Sequence, residues 1–155
     1  GACIGGALDV VTACDMRYAA ADVVFSVREV DVGMTADVGT LQRLPRIVPD
    51  GVARELAYTG RNVEANEAAA IGLVNRVFAS QGELALEVMK LAQQIAAKSP
   101  LAIRGTKEML NYGRDHSVTD GLNYVATWNA GMLMSADLSE AMAAAREKRK
   151  PVFEN

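Results

Sequence analysis

The character of this chain changes near residue 80, and that change limits the folds open to it. Before it, short Val-, Ala- and Phe-containing stretches are separated by turns rich in Gly, Asp and Pro. Beyond it, apolar residues recur at helical spacing: Leu84, Val88, Leu91 and Ile95 fall on one side of a helix. An α/β fold follows, with its strands early and its amphipathic helices late. Residues 17–19 and 23–27 read as strands around the turn Ala20-Ala21-Asp22, and residues 73–78 as a later strand. Residues 5–14 are apolar on nearly every side and predict a short, fully buried helix. Residues 40–44 start a helix that Pro45 and Pro49 interrupt, and residues 52–58 and 64–71 are further short helices. Ser99-Pro100 marks a helix start, with the hydroxyl as cap and Pro at the first helical position. Ser117-Val118-Thr119-Asp120 resembles a capping box with Asp in place of Glu, and Asp137-Leu138-Ser139-Glu140 opens the last helix by the same logic.

A chain of 155 residues that is 50% apolar can bury one sizeable core, so a single domain is expected. The net charge of −3 argues against nucleic-acid binding, and the basic run Arg146-Glu147-Lys148-Arg149-Lys150 is too short and too terminal to form a groove. No stretch approaches the ~18 consecutive apolar residues of a membrane-spanning helix. Cys3 and Cys14 sit in small apolar surroundings, which fits a reducing compartment better than a disulfide scaffold. With one distant histidine they make no zinc ligand set. The chain opens on Gly1 rather than Met, without a signal-peptide pattern, and a Gly-rich turn leads directly into a helix. It therefore reads as the later part of a longer protein.

Three carboxylates stand among apolar or small residues rather than in charged runs. Asp9 lies in Gly5-Gly6-Ala7-Leu8-Asp9-Val10-Val11, Glu29 in Phe25-Ser26-Val27-Arg28-Glu29-Val30, and Asp37 in Gly33-Met34-Thr35-Ala36-Asp37-Val38-Gly39. An acid in such company is costly unless paired or hydrogen-bonded. Taken singly, each is more often a cap or an ion-pair partner than a catalytic group. Two carboxylates in one dry pocket, however, can take a proton from one carbon and return it to another. Gly5-Gly6 before a helix is also a good place for an oxyanion donor. Glycine lets a ligand approach the backbone, and the first-turn N–H groups point outward with the positive end of the helix dipole behind them. Tight turns and close packing use the same dipeptide.

The combination is more specific than its parts. Gly1 to Asp15, followed by Glu29 and Asp37 at separations of 20 and 8 from the preceding acid, resembles the crotonase (enoyl-CoA hydratase/isomerase) superfamily, and within it the Δ3,5-Δ2,4-dienoyl-CoA isomerase branch. The likeness is carried by Thr12-Ala13-Cys14-Asp15-Met16-Arg17-Tyr18, by Glu29-Val30-Asp31-Val32-Gly33-Met34, and by Ala36-Asp37-Val38-Gly39-Thr40-Leu41-Gln42-Arg43-Leu44-Pro45. It continues in Arg114-Asp115-His116-Ser117-Val118 and Leu122-Asn123-Tyr124-Val125-Ala126-Thr127-Trp128-Asn129. Hydratases of the superfamily usually carry Glu where Asp9 stands, and Asp37 marks the dienoyl branch. The likeness covers about the C-terminal half to two-thirds of a full member.

The resemblance implies a crotonase-like ββα spiral core whose N-terminal part is absent. Residues 1–80 would carry the acid/base residues and residues 81–155 a helical trimerisation region. It implies that the Gly6 N–H is one of two oxyanion-hole donors, that Glu29 and Asp37 are the acid/base pair, and that Asp9 is a polar helper. Glu29 is assigned to C2 and Asp37 to C6 of a 3,5-dienoyl-CoA that is converted to the 2,4-isomer. It also implies an acyl-CoA substrate, no metal or redox cofactor, no nucleic-acid or membrane partner, and a homotrimer or dimer of trimers. The compartment would be mitochondrial or peroxisomal in a eukaryote and cytoplasmic in a bacterium. Phe153-Glu154-Asn155 is not a peroxisomal tripeptide. An enoyl-CoA hydratase or single-double-bond isomerase of the same fold is the nearest alternative, and a non-catalytic oligomerisation fragment is the alternative from another class.

Among the remaining residues, His116 is expected to hydrogen-bond at a helix start and Cys14 to be a packed core thiol. Asp15 and Asp31 could pair with Arg17 and Arg28. Trp128 and Tyr124 read as interface or core aromatics. The ending Lys148-Arg149-Lys150-Pro151-Val152-Phe153 is either a solvated helix end or, by the resemblance, a group of cations near the CoA phosphates.

Overall fold

The computed structural model of the chain describes residues 1–154; Asn155, last of the terminal tripeptide read above, lies outside the described residues. Two units divide at Met89 and Lys90, inside a helix rather than at its start near residue 81. The first runs β1 (Ala2–Ile4), α1 (Gly6–Ala13), β2 (Tyr18–Ala20), β3 (Val24–Ser26), a 3₁₀ turn (Glu29–Val32), α2 (Thr40–Arg43), a second 3₁₀ turn (Leu44–Arg46), α3 (Asp50–Thr59), β4 (Val63–Glu64), α4 (Ala65–Ala70) and β5 (Arg76–Phe78). Helix α5 (Gln81–Ala96) follows and crosses the division. The second unit continues with α6 (Pro100–Tyr112), α7 (Val118–Met132) and α8 (Ala136–Glu147). Among the described residues no helix is long and apolar enough to cross a membrane.

Parallel pairing organises the first unit. β1 and β3 run side by side with Ile4 opposite Ser26, and β4 closes the other side of β3 antiparallel. β2 and β5 form a separate parallel pair. Its later strand is shorter than the predicted 73–78, because Asn75 is used otherwise. The Asn75 N–H donates to the Arg17 carbonyl (2.7 Å) and its side chain accepts from the Arg17 N–H (2.8 Å). The core beneath the three-stranded sheet is built from Leu8, Phe25, Val27, Leu44, Leu56, Val63 and Leu73, all buried.

Helix α1 departs from its expectation. It buries Leu8, Asp9 and Thr12 on one side, while Val10 is 64% exposed. An apolar helix with a single layer packed against it can bury only one stripe. Of the two cysteines, Cys3 is buried, and Cys14, expected in the core, is exposed with its thiol against the Val10 carbonyl. Pro45 turns α2 into a 3₁₀ turn, and Pro49 precedes α3, as the interruption predicted.

In the second unit, Ser99 caps α6 by accepting from the Ala102 N–H at 3.0 Å. Ser117 and Asp120 form the predicted reciprocal capping box at the start of α7. The cap of α8 is Ser135, which accepts from the Leu138 N–H, and not the predicted Asp137. Asp137 instead accepts the Ser99 hydroxyl at 2.5 Å and ties the starts of α6 and α8 together. Helices α6 and α7 run antiparallel, with Tyr112 against Tyr124 and the Tyr124 hydroxyl donating to Glu108. Gly105 lies directly under Trp128. His116 serves the end of α6, not the start of α7: it stacks on Tyr112 and its Nδ1 lies 2.8 Å from the Tyr112 carbonyl.

Candidate active site

The register of β1 and β3 sets the site. Two parallel strands that end level with one another deliver their following residues to one edge, the usual place for chemistry in an α/β sheet. Ile4 and Ser26 are opposite each other, so Gly5-Gly6 follows one strand and Glu29 lies three residues past the other. The Gly5 N–H continues the ladder by donating to the Ser26 carbonyl at 3.0 Å.

Gly5 then turns the chain into α1 with φ of +56°, a conformation that side chains disfavour. Its carbonyl accepts from the N–H groups of Leu8 (2.7 Å) and Asp9 (3.2 Å). Gly6 is the first helical residue, so its N–H is outside the intrahelical ladder. It is exposed, and a Cβ added there would meet nothing within 4 Å. The fold leaves room at this amide.

Glu29 opens a 3₁₀ turn closed by Gly33, whose φ is +74°. The stretch between β3 and α2 is thus a short helical turn first and a loop only after it. The Glu29 carboxylate reaches back over Gly5: its Oε1 would lie 3.2 Å from a Cβ there. Its Oε2 is enclosed and has no hydrogen-bond partner, the only buried side-chain oxygen or nitrogen in that state among the described residues. Buried carboxylate oxygens are normally satisfied, so one that is not calls for a functional explanation. The neighbouring Arg28 is taken up by Asn62, Ser26 and Asp31 (3.3 Å). The Arg28–Asp31 pairing read from the sequence is therefore present.

Asp9 is buried and already engaged. Its Oδ1 accepts the Thr40 N–H at 2.8 Å. Helix α2 begins at Gly39, which has no side chain to cap it, so Asp9 supplies the missing acceptor from α1. Asp9 is thus a link between the turn-bearing helix and the segment that follows Asp37.

Asp37 is exposed, contrary to the expectation of two acids enclosed together. Buried Ala36 pins the loop, and the next residue in this extended segment projects outward. Exposed Val30, Val32, Met34 and Val38 stand in the same stretch as the acid. Arg43, to which sequence reasoning gave no role, spans the gap between this loop and α1. Its Nη2 donates to the carbonyls of Val38 (2.7 Å) and Asp9 (3.0 Å), and its Nε to the Thr12 hydroxyl (3.3 Å). The signal was the glycine four residues earlier: a Cβ on Gly39 would collide with the guanidinium.

The arrangement provides an amide donor and an unpartnered carboxylate at one turn, with a second acid on an anchored loop. Comparison with known proteins gives the same direction. Residues 1–155 match the family described as Enoyl-CoA hydratase/isomerase. The chain is 54% identical over 153 residues to the peroxisomal Delta(3,5)-Delta(2,4)-dienoyl-CoA isomerase of Arabidopsis thaliana, covering 99% of this chain and 55% of that protein. It is 50% identical over 151 residues to the mitochondrial Delta(3,5)-Delta(2,4)-dienoyl-CoA isomerase of Homo sapiens, covering 97% and 46% respectively. Among solved structures, an enoyl-CoA hydratase from Bacillus anthracis superposes with a TM-score of 0.94 at 33% identity, covering 99% of this chain and 59% of that one. The chain thus spans about half the length of the curated relatives it matches.

Proposed function

The chain belongs to the enoyl-CoA hydratase/isomerase family, and from that premise we propose that the complete polypeptide isomerises 3,5-dienoyl-CoA thioesters to their 2,4-isomers in fatty-acid β-oxidation. The observation that carries this reading is the Glu29 carboxylate, enclosed without a partner beside the Gly5-Gly6 turn.

Each feature has a task in that reaction. The C2 proton becomes acidic when negative charge can develop on the thioester oxygen, and the Gly6 N–H stabilises that oxygen as one of two donors. Glu29 takes the C2 proton, the double bonds shift along the chain, and Asp37 delivers a proton to C6, leaving a 2,4-diene. Substrate lying along the exposed apolar residues of the 30–38 segment removes Asp37 from water. Asp9 orients the site by holding α2 to α1. Carboxylates and an amide suffice for these proton transfers, so no metal or redox cofactor is required. In a eukaryote the compartment would be mitochondrial or peroxisomal, and in a bacterium cytoplasmic.

The helices after residue 80 complete the reading as the surface for a homotrimer or dimer of trimers. Leu110, Val118, Leu122, Met134 and Met142 are all exposed there, and an apolar surface of this extent is unusual on a monomer.

Incubation of the complete polypeptide with 3,5-dienoyl-CoA and, separately, with 2-enoyl-CoA tests the assignment. Growth of the long-wavelength 2,4-dienoyl absorbance with the first substrate is expected. Loss of enoyl absorbance with the second, and no change with the first, would make the protein a hydratase.

A further inference from the structure

From the three-way grip of its guanidinium, we infer that Arg43 is a positioning residue, which holds the loop bearing Asp37 in fixed relation to the oxyanion turn on α1. The inference deepens the isomerase reading and rests on it.

Asp37 is exposed, and among the described residues no hydrogen bond or ion pair places its carboxyl; only its neighbours are held. On one side Ala36 is buried. On the other, the Val38 carbonyl accepts from Arg43 at 2.7 Å. The same Nη2 donates to the carbonyl of Asp9 at 3.0 Å, and Nε donates to Thr12, both on the helix that Gly6 begins. One rigid, planar cation therefore joins the backbone beside the second acid to the backbone of the oxyanion helix. Two further features are adapted to it. Gly39, with φ of +105°, leaves the space that the guanidinium fills, and the Thr12 hydroxyl donates to the Asp9 carbonyl at 2.9 Å while accepting from Nε. Arg43 does not touch the substrate in this scheme. It acts through Asp37, whose delivery of a proton to C6 demands a position correct to a fraction of an ångström.

Displacement of about 1 Å at such a group costs roughly 10²-fold in turnover. Arg43→Met, in the complete polypeptide, is expected to lower kcat by about that factor with KM changed less than about threefold. The discriminating measurement is the same substitution in an Asp37→Asn background. There the acid whose position Arg43 controls is already gone, so Arg43→Met should lower the residual kcat by less than about threefold. Equal factors in the two backgrounds, or an unchanged kcat in the single variant, overturn the inference. Arg43→Lys, which cannot reach all three acceptors from one ammonium, is the second variant and should show the same dependence on background if Arg43→Met does not fold. Undiminished turnover in Asp37→Asn alone would identify a different failure, that of the catalytic role given to Asp37.

Discussion

In the proposed reaction Gly6 acts through an atom every residue but proline possesses. The fold itself does not demand a glycine there for space, since a Cβ meets nothing within 4 Å. Gly6→Pro makes this testable, because proline is accepted at a first helical position and lacks the N–H, while Gly6→Ala, which keeps it, controls for the added side-chain bulk. The expected result is a kcat lower by about 10²–10³-fold, with helical content and thermal midpoint unchanged. Turnover within about threefold of the parent would exclude that amide as a donor. Glu29 and Asp9 show how unevenly such assignments could be read in advance. Their positions among apolar neighbours marked both as unusual. One carries an enclosed oxygen without a hydrogen-bond partner and the other is the cap of a helix it does not belong to. That difference depends on a hydrogen bond between residues 31 apart, which no local pattern encodes.

Helix boundaries were legible wherever the cap is local. Ser99, Ser117 and the prolines at 45 and 49 each act on neighbours within four residues, and all four are found as read. At α8 the reading slipped, because Asp137 is recruited by Ser99 and Ser135 caps the helix instead. The α6–α7 contact supplies a stability prediction. Gly→Ala in a helix ordinarily gains about 1 kcal/mol. Here a Cβ on Gly105 would lie 2.5 Å from the Trp128 Nε1, so Gly105→Ala should destabilise the protein by about 1–3 kcal/mol in a urea titration. A gain in stability would mean that Trp128 moves aside without cost. The end of α8 supplies another. Arg149 grips both oxygens of Glu140, and the Val152 N–H adds a third bond. The Arg149 hydrogen bonds, first among the causes, hold the Glu140 carboxyl down from the ordinary 4.5 to about 2. A depressed folded value stabilises the docked tail above pH 4.5, and that contribution fades as the pH falls toward 2. Protection of the Val152 N–H, taken as its exchange rate relative to the intrinsic rate at each pH, should fall over that interval, and Glu140→Gln should abolish the change.

Assembly is the level at which the two units make different demands. The first has a continuous core from Cys3 to Val74. The second buries little besides Gly105 and Ala144, and Leu122 (62%) and Met134 (94%) are exposed. In the proposed assembly a helical unit of that kind would gain its apolar burial from neighbouring subunits. Sedimentation of the complete polypeptide should therefore report a trimer or a dimer of trimers. A stable monomer that still turns over 3,5-dienoyl-CoA would remove self-association from the account while leaving the chemistry standing.

Periodicity and caps gave most of the helices and the strands β2, β3 and β5, but neither β1 nor β4, and the residue words around three acids gave the family resemblance and the residues worth examining. These are properties of neighbours along the chain, and short-range sterics and hydrogen bonding express them directly. The pairing of Ile4 with Ser26, the outward placement of Asp37 and the reach of Arg43 to three acceptors on two elements came from packing alone. Parallel strands joined through a helix have no turn to set their register. A long side chain selects its partners only after the elements around it have met.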